Sequence, residues 1–189
     1  MLVGLCGLAG CGKNTVATIL QERRSFTPIA FADPIYAAVA AVTGLSASEL
    51  ADRTVKEAPL PWLGKSPREL LQTLGTEWGR ESVHQEIWVR RAMRRAVAIV
   101  GAGGHVAITD CRFENEAEAI RQAGGAVWQV RRHVAGLAGS TARHASEAGV
   151  PEHLIDLRIE NNGTLHDLEA AVEAAWATLQ DDTIKVSLR

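Results

Sequence analysis

Seven residues near the amino end, Gly7-Leu8-Ala9-Gly10-Cys11-Gly12-Lys13, carry glycines and a lysine at the GxxxxGK spacing. Glycines in such a run let successive backbone N–H groups turn inward as an anion nest. A helix starting just after them adds partial positive charge at its N-terminus. Lys13 has the reach to meet the outer phosphates of a polyphosphate. The motif needs a strand before it and a helix after it. Residues 2–6 are an apolar run, and 13–24 reads as a helix with Val16, Ile19 and Leu20 on its apolar face. The residues placed to bind phosphate are Gly7, Ala9, Gly10, Cys11, Gly12, Lys13, Asn14 and Thr15. One position departs from the pattern. A Ser or Thr usually follows the lysine to ligate Mg²⁺, but here Asn14 follows, then Thr15. An amide oxygen is a neutral ligand that Mg²⁺ accepts, directly or through water. Alternatively, Thr15 binds phosphate and carboxylates elsewhere hold the metal's waters.

The elements that must position this loop follow from periodicity and punctuation. Strands are expected at 2–6, 27–31, 106–109, 126–130 and 154–159. Helices are expected at 13–24, 34–43, 66–79, 85–100 and 115–122, with residues 44–65 irregular. Ser66, Pro67 and Glu69 form a capping-box helix start. Thr164, with Asp167 three residues on, caps a last helix whose apolar positions are Leu165, Leu168, Val172, Trp176 and Leu179. Strands alternating with helices imply an α/β fold with a parallel five-stranded sheet covered on both faces. Ligands gather at the carboxyl ends of such strands. Those ends carry the phosphate loop, Asp33, Asp110 with Arg112, Arg131 with Arg132, and Asn161-Asn162-Gly163.

Composition narrows the function. The chain has 189 residues and a formal net charge of −2, so one domain spanning 1–189 is expected, with no strong field toward nucleic acid or an anionic membrane. No run approaches the ~20 apolar residues of a bilayer span. Three cysteines without metal-ligand spacing fit a reducing cytoplasm. Cys11 lies in the anion nest, where a thiolate is favoured, so alkylation should abolish activity and ATP should protect. Three inert small hydrophobes are the alternative. An NKxD base-reading motif of GTPases is absent, and a small-molecule kinase fits the short chain.

The residues resemble the bacteriophage-type deoxynucleoside monophosphate kinases. The matching segments are GLAGCGKNTVA (7–17), FADPI (31–35), SPRELLQTLGTEWGR (66–80), IWV (87–89), ITDCRFENEAEAIRQAGG (108–125), HASEAG (144–149) and NNGTLHDL (161–168). They are in family order and span most of the chain. The family usually has Asp where this chain has Asn14. The resemblance implies a P-loop kinase fold with a helical acceptor-site insertion at about 44–100 and a lid loop at about 131–149. It implies transfer of the γ-phosphoryl of ATP, with Mg²⁺, to a deoxynucleoside monophosphate. The expected partners are small-molecule nucleotides, with neither nucleic acid nor membrane, and a homodimer is compatible.

Acceptor-binding candidates are Asp33, Arg68, Gln72, Gly75, Trp88, Asp110, Arg112 and Arg143. Arg68, Gln72, Gly75 and Gly79 share one stripe of the helix at 66–79, with Leu70, Leu71, Leu74 and Trp78 as its core face. Two helical glycines cost about 1 kcal/mol each relative to alanine. Either a flat base lies against the bare backbone, between a phosphate-binding Arg68 and a base-reading Gln72, or a neighbouring element packs closely there. Trp88 is either a wall of the base pocket or core. Asp33 either meets ligand or caps a helix before Pro34. Asp110 and Arg112 could order the metal's water shell and bind phosphate, or cap a helix and face solvent. Lys13, Arg68, Asp110, Arg112 and Arg132 are the groups assigned to catalysis, with Asn14 and Asp110 holding the metal. Arg131, Asn162 and Gly163 complete the ATP site. His144 and Glu147 match the family without an assigned role. The acceptor is already ionised, so positioning and electrostatics would carry the rate. The rivals are another small kinase of this fold, such as a dephospho-coenzyme A or phosphomevalonate kinase, and a non-catalytic nucleotide-binding module.

Overall fold

Residues 2–6 are buried along their whole length, as a strand covered on both faces must be, and they form β1 (Leu2–Cys6). The computed structural model describes residues 1–133 and 149–187. Four further strands join β1: β2 (Phe26–Ile29), β3 (His105–Ile108), β4 (Ala126–Arg131) and β5 (Leu157–Glu160). The sheet order is β2-β3-β1-β4-β5 and every pairing is parallel. The expected five-stranded parallel sheet is therefore present. β5 starts later than residue 154, because residues 152–154 form a 3₁₀ turn. Asp156 then docks on Val127 in both directions, its N–H donating to the Val127 carbonyl at 2.9 Å and its Oδ2 accepting from the Val127 N–H at 2.8 Å.

Successive residues of a strand face opposite ways. Val3 and Leu5 join a core with Val16, Ile19 and Leu20 of α1 (Lys13–Arg24) and Leu168, Val172 and Trp176 of α8 (Leu165–Ser187). Gly4 faces α7 (Glu114–Gln122), where a Cβ would collide with Ile120. Helices thus cover both faces. Trp176 meets Phe26 edge-on at 5.5 Å, and each such large buried side chain is worth roughly 1.5–3 kcal/mol. The Thr164–Asp167 cap forms as expected, with the Thr164 N–H donating to Asp167 at 2.8 Å. Leu165, expected on the apolar face of α8, is instead 60% exposed. It is the first helical residue, and helical side chains tilt toward the N-terminus, so it points past the core.

The chain forms two compact units, residues 1–30 with 93–189, and residues 31–92. The sheet, α1, α7 and α8 belong to the first. The second contains α2 (Asp33–Thr43), α3 (Ala47–Ala51), α4 (Arg53–Glu57) and α5 (Pro67–Gln72), and α6 (Ile87–Gly101) begins within it. Residues 44–65, expected to be irregular, therefore hold two short helices. Ser46 and Glu49 form a capping box, and Asp52 accepts from the Thr54 N–H at 2.7 Å to start the next helix. Ser66 and Glu69 cap α5 as expected. Beyond Gln72 the hydrogen-bond pattern widens to i→i+5, and a π-helix runs over Thr73–Val83. The buried face also differs from the expected one. Gly75 and Gly79 are buried, Leu70, Leu71 and Leu74 are half-buried, and Trp78 is 48% exposed.

Candidate functional site

The loop between β1 and α1 has the backbone of an anion nest. Gly7, Gly10 and Gly12 have φ of 132°, 77° and 106°, in the left-handed region that favours glycine. At Gly7 a Cβ would strike the Val130 carbonyl, and at Gly12 the Asn161 amide. Lys13 opens α1, and its Nζ donates back to the Gly7 and Leu8 carbonyls at 2.7 and 3.0 Å. The ammonium therefore sits over the loop. Burial pushes its pKa below the ordinary lysine range; Cys11 opposes that shift and the Arg112 guanidinium reinforces it. A polyphosphate would relieve both the desolvation and the repulsion between the two cations. Ala9 lies on the exposed rim, and Asn14 and Thr15 are exposed at the start of α1.

All three cysteines are free and buried. Burial pushes the Cys6 thiol up to about 11 and raises Cys111 well above its usual value. Cys11 is 1% exposed, with its Sγ 3.9 Å from Lys13 Nζ, so an alkylating reagent reaches it only when the loop opens.

Beside this loop, β3 ends at Ile108 and the chain continues through Asp110, Cys111 and Arg112. Its backbone is pinned at four amides. The Thr109 N–H donates to the Ile29 carbonyl at 3.0 Å and the Cys111 N–H to the Leu5 carbonyl at 3.2 Å. The Arg112 and Phe113 N–H groups both donate to Glu116 Oε2, at 2.8 and 3.1 Å. Glu116 is 2% exposed. Burying a carboxylate costs several kcal/mol unless charge-assisted hydrogen bonds offset it. Two amides at the start of α7 provide them. The sequence, which places the helix start at Asn115, carries no sign of this brace, because it depends on the backbone at 112 and 113 turning back toward Glu116.

On the other side of β1, Arg131 ends β4, its Nε donating to Gln129 at 2.6 Å, and Arg132 is exposed. The Asn161 N–H donates to the Arg131 carbonyl at 2.8 Å, and its side-chain Nδ2 donates to the Cys11 carbonyl at 2.8 Å. Asn162 Oδ1 accepts from the His133 N–H at 2.8 Å, and Gly163 packs on Asp167. The first unit thus brings together Lys13, Asp110, Arg112, Arg131, Asn162 and Gly163 around the carboxyl ends of β1, β3, β4 and β5. Arg143, His144 and Glu147 lie outside the described residues, as does most of the expected lid.

The acceptor candidates of the second unit are placed differently. Arg68 Nε donates to Glu57 Oε1 at 2.6 Å, with both side chains about 40% exposed. Lys56 donates to the Tyr36 hydroxyl and lies 4.7 Å from its ring centroid. Neither Glu57 nor Lys56 was singled out from the sequence, since nothing in their local pattern shows a contact made across α4. Gln72 and Asp33 are exposed, and Asp33 is the first residue of α2 with Ala32 at the cap position. The capping reading of Asp33 is corrected accordingly. Trp88 is 6% exposed, and its Nε1 donates to the Gly75 carbonyl at 2.7 Å. Its ring fills the space a Cβ of Gly79 would need, and Ile35 Cδ1 lies 3.1 Å from a Cβ built at Gly75. Packing therefore accounts for both glycines, and Trp88, weighed as a pocket wall, is core of this unit.

The chain is similar to known proteins in sequence and in fold. The sequence model of the family described as deoxynucleotide monophosphate kinase matches residues 63–172. A putative deoxynucleotide monophosphate kinase of Acanthamoeba polyphaga mimivirus is 31% identical, covering 91% of this chain and 94% of its own length. The deoxynucleoside-5'-monophosphate kinase of Escherichia phage T5 is 28% identical over 65% of this chain and 72% of its own. Among solved structures, a dephospho-CoA kinase from Campylobacter jejuni superposes with a TM-score of 0.56 at 13% identity, over 96% of this chain and 98% of that one. TT1252 from Thermus thermophilus superposes at 0.53 with 20% identity, over 95% and 97%. At such identities the structures speak for the fold alone, an α/β kinase fold.

Proposed function

The chain belongs to the deoxynucleotide monophosphate kinase family, and on that premise we propose that it moves the γ-phosphoryl of ATP, with Mg²⁺, onto a deoxynucleoside 5'-monophosphate. The products are ADP and the deoxynucleoside diphosphate. The observation that carries this reading is the loop before α1, with its left-handed glycines and the Lys13 ammonium 2.7 Å from a loop carbonyl. Such a cradle holds the β- and γ-phosphates, and Lys13 exchanges its carbonyl partners for phosphate oxygens.

Each remaining group has a role that its position allows. Arg112, held near Lys13 by the Glu116 brace, neutralises charge on the transferring group, and Arg132 is a second candidate for that task. Asn14 and Asp110 offer oxygen donors, a neutral amide and a carboxylate, which suit Mg²⁺ directly or through water. Among the described residues no group of three His, Cys, Asp or Glu could hold a metal unaided. That fits an ion held mainly by phosphate and water, whose chemistry is to shield developing charge on the phosphates. Gly163 and Asn162 border the adenine, with Arg131 beside them. In the second unit Arg68 binds the acceptor phosphate and Gln72 meets the base, with Asp33 as a further contact; Arg143, outside the described residues, is a further acceptor-binding candidate. Gly75 supports that site as a packing position against Ile35, its carbonyl accepting from Trp88 Nε1. The acceptor oxygen is already anionic, so the attack is in line and needs no strong general base. Residues 31–92 would be the acceptor-binding portion of one kinase domain, and residues 131–149 its water-excluding lid.

No helix of the described residues is long and apolar enough to cross a membrane, and free buried thiols suit a cytoplasmic enzyme. The test is ADP release from ATP across every natural dNMP and NMP, with dephospho-coenzyme A as control. The reading expects stimulation by at least one dNMP. Stimulation by dephospho-coenzyme A alone, or by nothing, would overturn it.

A further inference from the structure

Asn161 stands 150 residues from Cys11, yet its Nδ2 donates to the Cys11 carbonyl at 2.8 Å. The Asn161 backbone is itself fixed, its N–H bonded to the Arg131 carbonyl at the end of the β4–β5 ladder. The side chain therefore reaches the phosphate loop from a rigid base. The peptide between Cys11 and Gly12 is trans. In a trans peptide the C=O and the following N–H point in opposite directions. Holding the Cys11 carbonyl on Asn161 thus holds the Gly12 N–H turned away from Asn161. Gly12 is the cap residue of α1, with φ 106°, where free N–H groups converge on an anion. A Cβ at Gly12 would collide with the same Asn161 amide, so glycine and asparagine are fitted to each other.

We infer that Asn161 is a positioning residue for the donor phosphates. By tying down the Cys11 carbonyl, it commits the Gly12 N–H to the cradle and keeps a carbonyl dipole from facing the polyphosphate. The inference rests on the reading of this loop as the ATP site. It makes the chain after β5 a structural part of the phosphate cradle as well as a border of the adenine.

The test compares wild type, Asn161→Ala and Asn161→Asp for binding of ATP and of inorganic tripolyphosphate, which has no base. Asn161→Asp sets an acceptor against the Cys11 carbonyl and favours a flipped peptide. Affinity for both ligands should fall by the same factor, about tenfold to a hundredfold for Asn161→Asp and about threefold to tenfold for Asn161→Ala. Loss of ATP affinity with tripolyphosphate unaffected would assign Asn161 to the base and overturn the inference. Unchanged affinity for both ligands in both variants would overturn it as well. Should Asn161→Asp fail to fold, the Asn161→Ala series decides by the same criterion. Failure of the wild type to bind ATP would instead strike at the reading of the site itself.

Discussion

The two units hold their functional charges by opposite means. In the first, Lys13 is bonded to two carbonyls of its own loop, and the 109–113 backbone is pinned by two strands and a buried Glu116. In the second, Arg68 is held by an ion pair to Glu57 that is about 40% exposed at both ends. Exposed pairs contribute only about 0–1 kcal/mol, so a phosphate dianion can displace Glu57 easily. On the proposed reading, the donor side is preorganised, as electrostatic catalysis requires, and the acceptor side is exchangeable, as a site that must load and release its ligand requires.

The largest expected effect is on the preorganised side. Lys13→Met should lower kcat/KM by at least about a hundredfold, while dNMP affinity measured by titration changes little. A comparable loss of dNMP affinity would erase the contrast. Next comes the exchangeable side. Arg68→Ala should raise the KM for the dNMP by about tenfold or more, by loss of charge-assisted bonds to phosphate. It should leave the KM for ATP within about twofold, because Arg68 is assigned to the acceptor alone. Thermal stability should hardly change, since the lost ion pair is exposed.

A smaller effect separates packing from binding at the helical glycines. Gly79→Ala gains about 1 kcal/mol of helix propensity but drives a methyl into the Trp88 ring, which is buried and tied to the Gly75 carbonyl. Overpacking costs about 1–3 kcal/mol, so the clash wins, and Tm should fall by several degrees. A stabilised variant would show that the ring can move aside. The smallest effect is a proton count. Lys13 has a pKa held below the ordinary lysine value of about 10.4. The free protein therefore loses that proton earlier than a normal lysine as pH rises, and bound polyphosphate restores it. Calorimetry in buffers of different ionisation enthalpy should show proton uptake on ATP binding that grows as pH rises into the alkaline range. Proton release at alkaline pH would contradict the assignment of Lys13 to the phosphates.

Legibility in the sequence divides along the same line. β1, the glycines of the loop and Lys13 were readable because local spacing alone specifies a nest followed by a helix. The caps at Ser66 and Thr164 were readable for the same reason. What escaped depends on contacts between residues distant in sequence. The Asn161 bond to the Cys11 carbonyl spans 150 residues, and no periodicity announces it. The buried face of residues 66–79 was misplaced because apolarity pointed to Leu70, Leu71, Leu74 and Trp78. The Trp88 ring instead packs on Gly79, where a Cβ would collide with it, and Ile35 packs on Gly75. The helices within 44–65 were hidden by Pro59, Pro61 and Gly64, although Ser46 and Glu49 carry a legible cap.

The central claim is that the loop before α1 passes a terminal phosphoryl to a second bound anion. The most direct measurement is ³¹P NMR of ATP mixed with a dNMP and the enzyme. The account predicts ADP and the deoxynucleoside diphosphate rising together, one for one, with no early inorganic phosphate. ATP converted to ADP and inorganic phosphate while the dNMP stays unchanged would contradict it.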